Sequence, residues 1–498
     1  MPRLALLAVF AVCLRAQTAE EFQQLLDRLR SAPVELQVNG LLRLVETGRT
    51  KGRLDEIKLI EECFHLAAQA ARQQPLDLIG GGITEDPDYL LARATTQRLG
   101  RLSLQSWAIT LMSARQPRKA RELLALTPLP AYHPLDCSAR RIDAPQPYYD
   151  ALGALLKSGF TRQERTDGAL AAAVQAELAK LSSPTQLSAL LHQLNRLEWT
   201  RDEFAALVPA LGAALTNIHV DDRTFSATAR NLYGLIPKLE QFGLKARALG
   251  VAPDPIALAI RQYLAAHLSA ERCADTAAND PPPPEGVRML PKPPHPAFAD
   301  ESLPEVANYF NYKLRLAEHF TSADLPALEK EQITPSKLAG IMARAKIFWS
   351  NESEITLKAK GLYWGGRSDN PLTLEERSTP EWDRQAQEYR RLVSDYRRVD
   401  GQPAESWFLH KSGLMMALWG LMPDGPQRNE VLADVVRFLA SVDKREVGLD
   451  LWVLGVKDVM NRARRGRQDR TVAPEVLAAM AQAGDPALWL VAEMDAWK

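Results

Sequence analysis

Apolar residues recur at helical spacing through most of this 498-residue chain. Thr161 and Glu164 have the spacing of a capping box and precede one apolar stripe, and Thr200 and Glu203 precede another in the same way. Between them, Ser183-Pro184 is a typical helix start, an N-cap residue followed by proline. The three stripes are Leu170, Val174, Leu178 and Leu181; Leu187, Leu190, Leu191, Leu194 and Leu197; and Phe204, Leu207, Val208, Leu211, Leu215 and Ile218. The pattern predicts three consecutive helices.

Only a few residues connect these helices. Short connections make neighbouring helices antiparallel, and stripes of this width need partners on more than one side. We therefore predict an all-α fold of stacked antiparallel helical hairpins, similar to an α-solenoid or α-α superhelix, over residues 140–272 and again over 19–126. Residues 107–120 weakly resemble a tetratricopeptide hairpin, but their small and aromatic positions do not return at a period of 34.

A proline-rich segment divides the chain. Half of the sixteen positions from 281 to 296 are proline, a density that cannot continue a helix. Helical patterns resume beyond it, for example after Thr379-Pro380. The predicted organisation is a signal peptide at 1–16, an N-terminal helical-repeat region at 17–274, a linker at 275–300 and a C-terminal helical domain at 301–498.

The first sixteen residues have the layout of a secretory signal peptide. Arg3 precedes an apolar run from Leu4 to Leu14, and Ala16 precedes a polar stretch. The apolar run is about half of the ~20 residues that cross a bilayer, so a transmembrane anchor is the weaker interpretation, and an uncleaved amphipathic segment is a second alternative. We expect cleavage after Ala16 and export to the periplasm or the medium, with no membrane span in the mature chain.

The net charge of the chain gives no reason to expect nucleic-acid binding, because basic and acidic residues are equal in number, at 61 each.

The two halves of the chain differ in tryptophan content. Eight of the ten tryptophans follow residue 300. They either pack in a core or line a groove that stacks on sugars or aromatic side chains, with Trp364, Trp407 and Trp419 as candidate groove residues.

Three cysteines remain after signal removal. Cys63 lies in a helical pattern beside apolar residues, where a thiol behaves as a small hydrophobe. Cys137 and Cys273 lie in polar stretches at the two ends of one helical block, and we predict a disulfide between them, with three independent thiols as the alternative.

Catalytic and metal motifs are scarce in the sequence. It contains no glycine-rich phosphate loop, zinc-binding His-Glu-x-x-His pair or Gly-x-Ser-x-Gly elbow, and we predict no cofactor and no metal. Glu405-Ser406-Trp407-Phe408 followed by Gly420-Leu421-Met422 resembles the catalytic segment of lytic transglycosylases, although Pro423 stands where those enzymes have glutamine. The resemblance implies that Glu405 is a general acid that protonates a glycosidic oxygen. A plain amphipathic helix ended by Pro423 is the other interpretation.

The mature chain as a whole resembles exported all-helical bacterial proteins of unknown function. The resemblance rests on Cys137 followed by Tyr148-Tyr149, on Arg272-Cys273-Ala274-Asp275, and on the stretch from Trp407 to Pro426. It implies helices, export and the cysteine pairing, and it implies no activity.

These patterns favour a binding or scaffolding module over an enzyme. Stacked helical hairpins present long surfaces, which would suit a protein or a cell-envelope polymer as partner. The competing hypothesis is an enzyme that acts on peptidoglycan or another polysaccharide, either through Glu405 or as an α/α toroid with a tryptophan-lined cleft.

The disulfide can be tested directly. Mass spectrometry of a non-reduced digest of the exported protein should yield a peptide that cross-links Cys137 to Cys273, because an oxidising compartment favours the bond. Recovery of both cysteines only as free thiols would contradict the pairing.

Overall fold

The computed structural model describes residues 18–71, 76–77, 93–94, 96–129, 132–134, 141–142, 144–220, 229–252, 259, 263, 358, 362–363, 372–398, 404–464 and 471–495. The predicted signal peptide, the proline-rich linker, Cys137, Cys273 and Trp364 lie outside these residues. Within them the fold is all-α, as predicted.

Eighteen α-helices make up the described part. Those before residue 250 are α1 Ala19–Arg30, α2 Val34–Glu46, α3 Glu56–Ala67, α4 Arg101–Ser113, α5 Pro117–Ala125, α6 Gln146–Ser158, α7 Arg162–Thr166, α8 Ala169–Leu178, α9 Pro184–Arg196, α10 Arg201–Asn217 and α11 Ala229–Ala248. Those after residue 375 are α12 Pro380–Asp395, α13 Ala404–Leu421, α14 Pro426–Ser441, α15 Lys444–Val447, α16 Leu449–Ala463, α17 Pro474–Ala483 and α18 Pro486–Asp495. The two-residue strands β1 Leu76–Asp77 and β2 Arg141–Ile142 pair antiparallel, and a single 3₁₀ turn covers Glu376–Ser378.

The predicted helix starts are present in the structure. Thr161, Ser183 and Thr200 each form a capping box with the residue three positions later, and the Thr379 side chain caps α12. The single helix predicted after Thr161 is two helices in the structure: α7 carries no residue of the predicted apolar stripe, and α8 carries Leu170, Val174 and Leu178. Gly168 separates them with φ +82°, a left-handed conformation that glycine adopts without steric cost.

One compact unit contains α5–α11, with β1, β2 and most of α4. Its helices pack in two rows: α6 contacts α9 and α9 contacts α11 in the first row, and α8 contacts α10 in the second. Successive helices thus alternate between rows. Such alternation is the packing expected of stacked hairpins.

The two rows are joined by aromatic packing and by buried polar pairs. The Phe204 ring lies 4.6 Å from that of Phe242, between α10 and α11. Tyr148 on α6 donates a 3.0 Å hydrogen bond to the buried carboxylate of Glu177 on α8. Each buried polar group with a partner avoids the cost of desolvation without compensation.

The other compact unit combines α1–α3 and the start of α4 with α12–α18. In it α14 packs against α13, α16 and α17, and α16 packs against α18. The Trp452 side chain is fully buried, and its indole N–H donates to the carbonyl of Leu439 at 2.8 Å. Cys63, on α3, is buried as well.

Long-range polar contacts hold the N-terminal helices of this unit against its C-terminal ones. Arg28 pairs with Glu493 at 2.8 Å, and Arg43 donates to the carbonyl of Met494 at 3.0 Å. The predicted N-terminal half, residues 17–274, therefore contributes to both units.

Within the described residues, no helix combines the length and the apolar character that a bilayer crossing requires.

Candidate functional site

The residues that sequence analysis placed in a C-terminal site lie along α13. Glu405 is half-buried in the first turn of this helix. Trp407 is also half-buried, and its ring meets that of Phe438 edge-on at 5.3 Å. Trp419 lies in the last turn, fourteen residues after Glu405, which is about 21 Å along an α-helix. Glu405 and Trp419 thus occupy opposite ends of one helix.

Trp419 packs in the core. Only 4% of it is exposed, and guanidinium groups lie over its ring, Arg428 at 4.1 Å and Arg462 at 4.7 Å. Trp382 and Trp452 are buried too. For these three tryptophans the core interpretation is the one the structure shows.

The structure places Lys411 next to Trp407 as a buried cation. Sequence analysis did not single out this residue for burial. Its ammonium group donates to the carbonyls of Ser394 at 2.9 Å and Tyr396 at 2.8 Å, and so caps the end of α12. Burial, reinforced by Arg397, lowers the pKa of Lys411 to about 8. The signal in the sequence was the one lysine of α13, a helix that is mostly apolar after it.

A small groove lies between α12, α13 and α14. Its polar lining is Asp383, Gln387, Arg390 and Gln427, and its apolar lining is Ala386, Leu418, Met422 and Val431. It encloses about 70 Å³, whereas pockets for small ligands have roughly 300–1,000 Å³. Arg390 is held by an ion pair with Asp434. The groove is therefore smaller than a typical pocket that encloses a small ligand.

A second set of polar side chains crosses the first row of the other unit. We call it the polar strip, and it consists of Asp150 on α6, His192, Gln193 and Arg196 on α9, and Lys238 and Lys245 on α11. Gln193 donates to the Asp150 carboxylate at 2.7 Å and so joins α6 to α9. The strip therefore spans three helices that are far apart in sequence.

Two lysines join α11 to α9. Lys245 donates to the carbonyls of Asn195 at 2.8 Å and Leu197 at 2.6 Å, at the C-terminal end of α9, where the helix dipole favours a cation. Lys238 donates to the Ser188 hydroxyl at 2.9 Å. Both ammonium groups are thus held in place by α9.

The strip has a positive electrostatic character. Burial lowers the pKa of both Lys238 and Lys245, and Glu198 opposes the shift at Lys245. Burial, followed by the charges of Lys238 and Arg196, lowers the pKa of His192, while Asp150 acts in the opposite direction. The strip itself contains three cationic side chains, Arg196, Lys238 and Lys245, and one acidic side chain, Asp150, while Glu198 lies close enough to Lys245 to affect its pKa.

The strip offers ammonium, guanidinium and amide donors beside one carboxylate. Nowhere in the described part of the chain do three His, Cys, Asp or Glu side chains form a group that could hold a metal ion. Sequence analysis did not predict this set of residues. The available signal was the spacing of His192 and Arg196, since residues i and i+4 share a helix face.

Comparison of the chain with protein-family models, with curated proteins and with solved structures finds no match.

The electrostatics of the strip can be tested by titration of His192. Because Lys238 and Arg196 disfavour the charged imidazole, Arg196→Gln should raise the NMR titration midpoint of His192. Asp150→Asn should lower it, because the carboxylate favours the charged form. Midpoints that move in the same direction in both variants would contradict this arrangement.

Proposed function

We propose that this chain is an exported binding or scaffolding module and that the polar strip is its binding face. The observation that carries the proposal is the two-row packing of α6, α8, α9, α10 and α11. Alternate helices lie side by side in the first row, so each one adds its outward side chains to a common surface. Proteins built in this way bind partners on extended surfaces rather than in enclosed pockets.

The dimensions of the row suit a polymer chain. Packed helices are about 8–10 Å apart, so three of them span roughly 16–20 Å. An extended peptide covers that distance with about five or six residues at ~3.3 Å each. A peptide segment of a protein, or a cell-envelope polymer of similar width, could contact all three helices.

The positive members of the strip favour acidic partners. Arg196 is exposed on α9, and its guanidinium group can bind a carboxylate through two parallel hydrogen bonds. Lys238 and Lys245 are half-buried, and their fixed positions reduce the entropy that binding would otherwise cost.

Export is part of the proposal and rests on the sequence pattern of residues 1–16. The alternative of a glycan-cleaving enzyme predicts that two carboxyl groups and exposed tryptophans share one cleft. The structure favours it less, because Trp419 is buried between two arginines about 21 Å along α13 from Glu405.

Photo-crosslinking in cells that produce the protein tests the binding face. Arg196 and Ala205 are both exposed, but Arg196 lies on the strip and Ala205 lies on α10 in the second row. We expect p-benzoylphenylalanine at position 196 to give discrete adducts after irradiation, because this position contacts the partner. The same residue at position 205 should give none and is the matched control.

Mass spectrometry of the adduct at position 196 would identify the partner as protein or glycan. Absence of an adduct at position 196, or equal adducts at both positions, would refute the strip as the binding face.

A further inference from the structure

A short turn at residues 96–100 is held from several directions in the unit that contains α1–α3 and α12–α18. Asn39 on α2 donates to the carbonyl of Gln97 at 3.0 Å. Lys457 on α16 donates to the Gln97 side chain at 2.6 Å, and the Leu99 N–H donates to the carboxyl group of Asp450 at 3.2 Å, also on α16. The turn therefore connects α2 with α16.

The backbone of this turn is unusual. Arg98 has φ +58°, and it is the one residue other than glycine with a positive φ in the described part of the chain. Such a conformation persists in an arginine only where surrounding contacts hold it. An ion pair of Arg93 with Asp458 at 2.9 Å anchors the chain just before the turn.

Asp450 is buried in an environment that does not suit a charge. It is 5% exposed and, among the described residues, accepts one hydrogen bond, from a neutral backbone N–H. No described lysine or arginine forms an ion pair with it. A buried carboxylate with so little compensation is unfavourable, whereas the protonated carboxyl group is tolerated.

The charged groups around the turn are Glu35 on α2, Arg93 and Arg98 near the turn itself, and Lys457 and Asp458 on α16. Arg93 forms an ion pair with Asp458, and Lys457 donates to the Gln97 side chain. Arg98 faces Glu46 at 3.9 Å. Glu35, which accepts a 3.0 Å hydrogen bond from the Ala71 N–H, is the group whose charge further disfavours an ionised Asp450.

We propose that the contact between Asp450 and the 96–100 turn is a pH-sensitive joint, which holds the N-terminal helices against α16 more firmly in mildly acidic than in neutral or alkaline solution. The inference concerns the unit without the polar strip and does not depend on the proposed binding function.

The direction of the effect follows from proton linkage. Burial raises the pKa of Asp450 to about 7. The hydrogen bond from Leu99 acts in the opposite direction, and the charge of Glu35 adds a smaller upward contribution. When the joint opens, the carboxyl group returns to water and to a pKa near 4. The closed joint therefore binds an extra proton between about pH 4 and pH 7, and its stability falls as the pH rises through that range.

Hydrogen exchange at the Leu99 amide measures the opening of the joint in the full-length protein. After correction for the intrinsic pH dependence of exchange, we expect protection of this amide to fall roughly tenfold or more between pH 5 and pH 8. In Asp450→Asn the fall should be absent, because the amide oxygen still accepts the hydrogen bond but does not titrate. In Asp27→Asn, a change of an exposed aspartate on α1, the fall should be retained.

A second variant keeps the test decisive if Asp450→Asn does not fold. Glu35→Gln removes the neighbouring charge and can still accept from Ala71, so the fall in protection should move to lower pH. Protection that is independent of pH in the natural protein, or a fall that is the same in Asp450→Asn or in Glu35→Gln, would overturn the proposal.

Discussion

The apolar stripes of these helices are wider than one neighbouring helix can cover, and the architecture follows from this constraint. In α9, nine of thirteen residues are buried, so the helix needs partners on more than one side. It finds α6 on one side and α11 on the other. A helix with a narrow apolar stripe can bury it against a single partner helix. A wide stripe needs a neighbouring helix on each side, and repetition of this arrangement produces a row of helices.

The polar groups of the protein are placed by the same packing. Helices that end inside a stacked structure leave carbonyl groups without intrahelical partners, and here lysines and arginines from neighbouring helices supply the donors. Lys245 does so for α9, Lys411 for α12 and Arg428 for α13. In the first row, Lys245 is also a member of the positive strip, so a structural requirement at the end of α9 contributes one cation to the candidate binding surface.

Local features of the fold could be predicted from sequence because their causes are local. The capping boxes at Thr161 and Thr200 depend on residues three positions apart, and the proline after Thr379 fixes the start of α12. Gly168 could not be placed in the same way, since glycine both ends helices and occurs inside them. The association of α1–α3 with α16 and α18 was not predicted, because it depends on contacts such as Arg28 with Glu493 that join distant parts of the chain.

The candidate sites show the same difference between features with local causes, which sequence predicts, and features that depend on contacts between distant parts of the chain. Helical spacing was enough to show that Trp407 and Trp419 share a helix, but not that Arg428 and Arg462 cover the ring of Trp419. Asp450 reads in the sequence as an ordinary first-turn acid of a helix, and its burial against Leu99 depends on a turn some 350 residues earlier. The polar strip likewise required the row order α6, α9, α11, which periodicity alone does not give.

The measurement that most directly tests the stacked-row account is hydrogen exchange after core truncation near either end of the unit that contains α5–α11. Phe204→Ala removes the ring that packs against Phe242 and should cost about 3–5 kcal/mol of unfolding free energy. If stability is built from contacts between neighbouring helices, protection should fall in α10 and α11 and be retained in α5 and α6. Leu124→Ala, at the α5 end, should give the reverse pattern. Equal loss of protection from α5 to α11 in both variants would show a single cooperative core and would contradict the account.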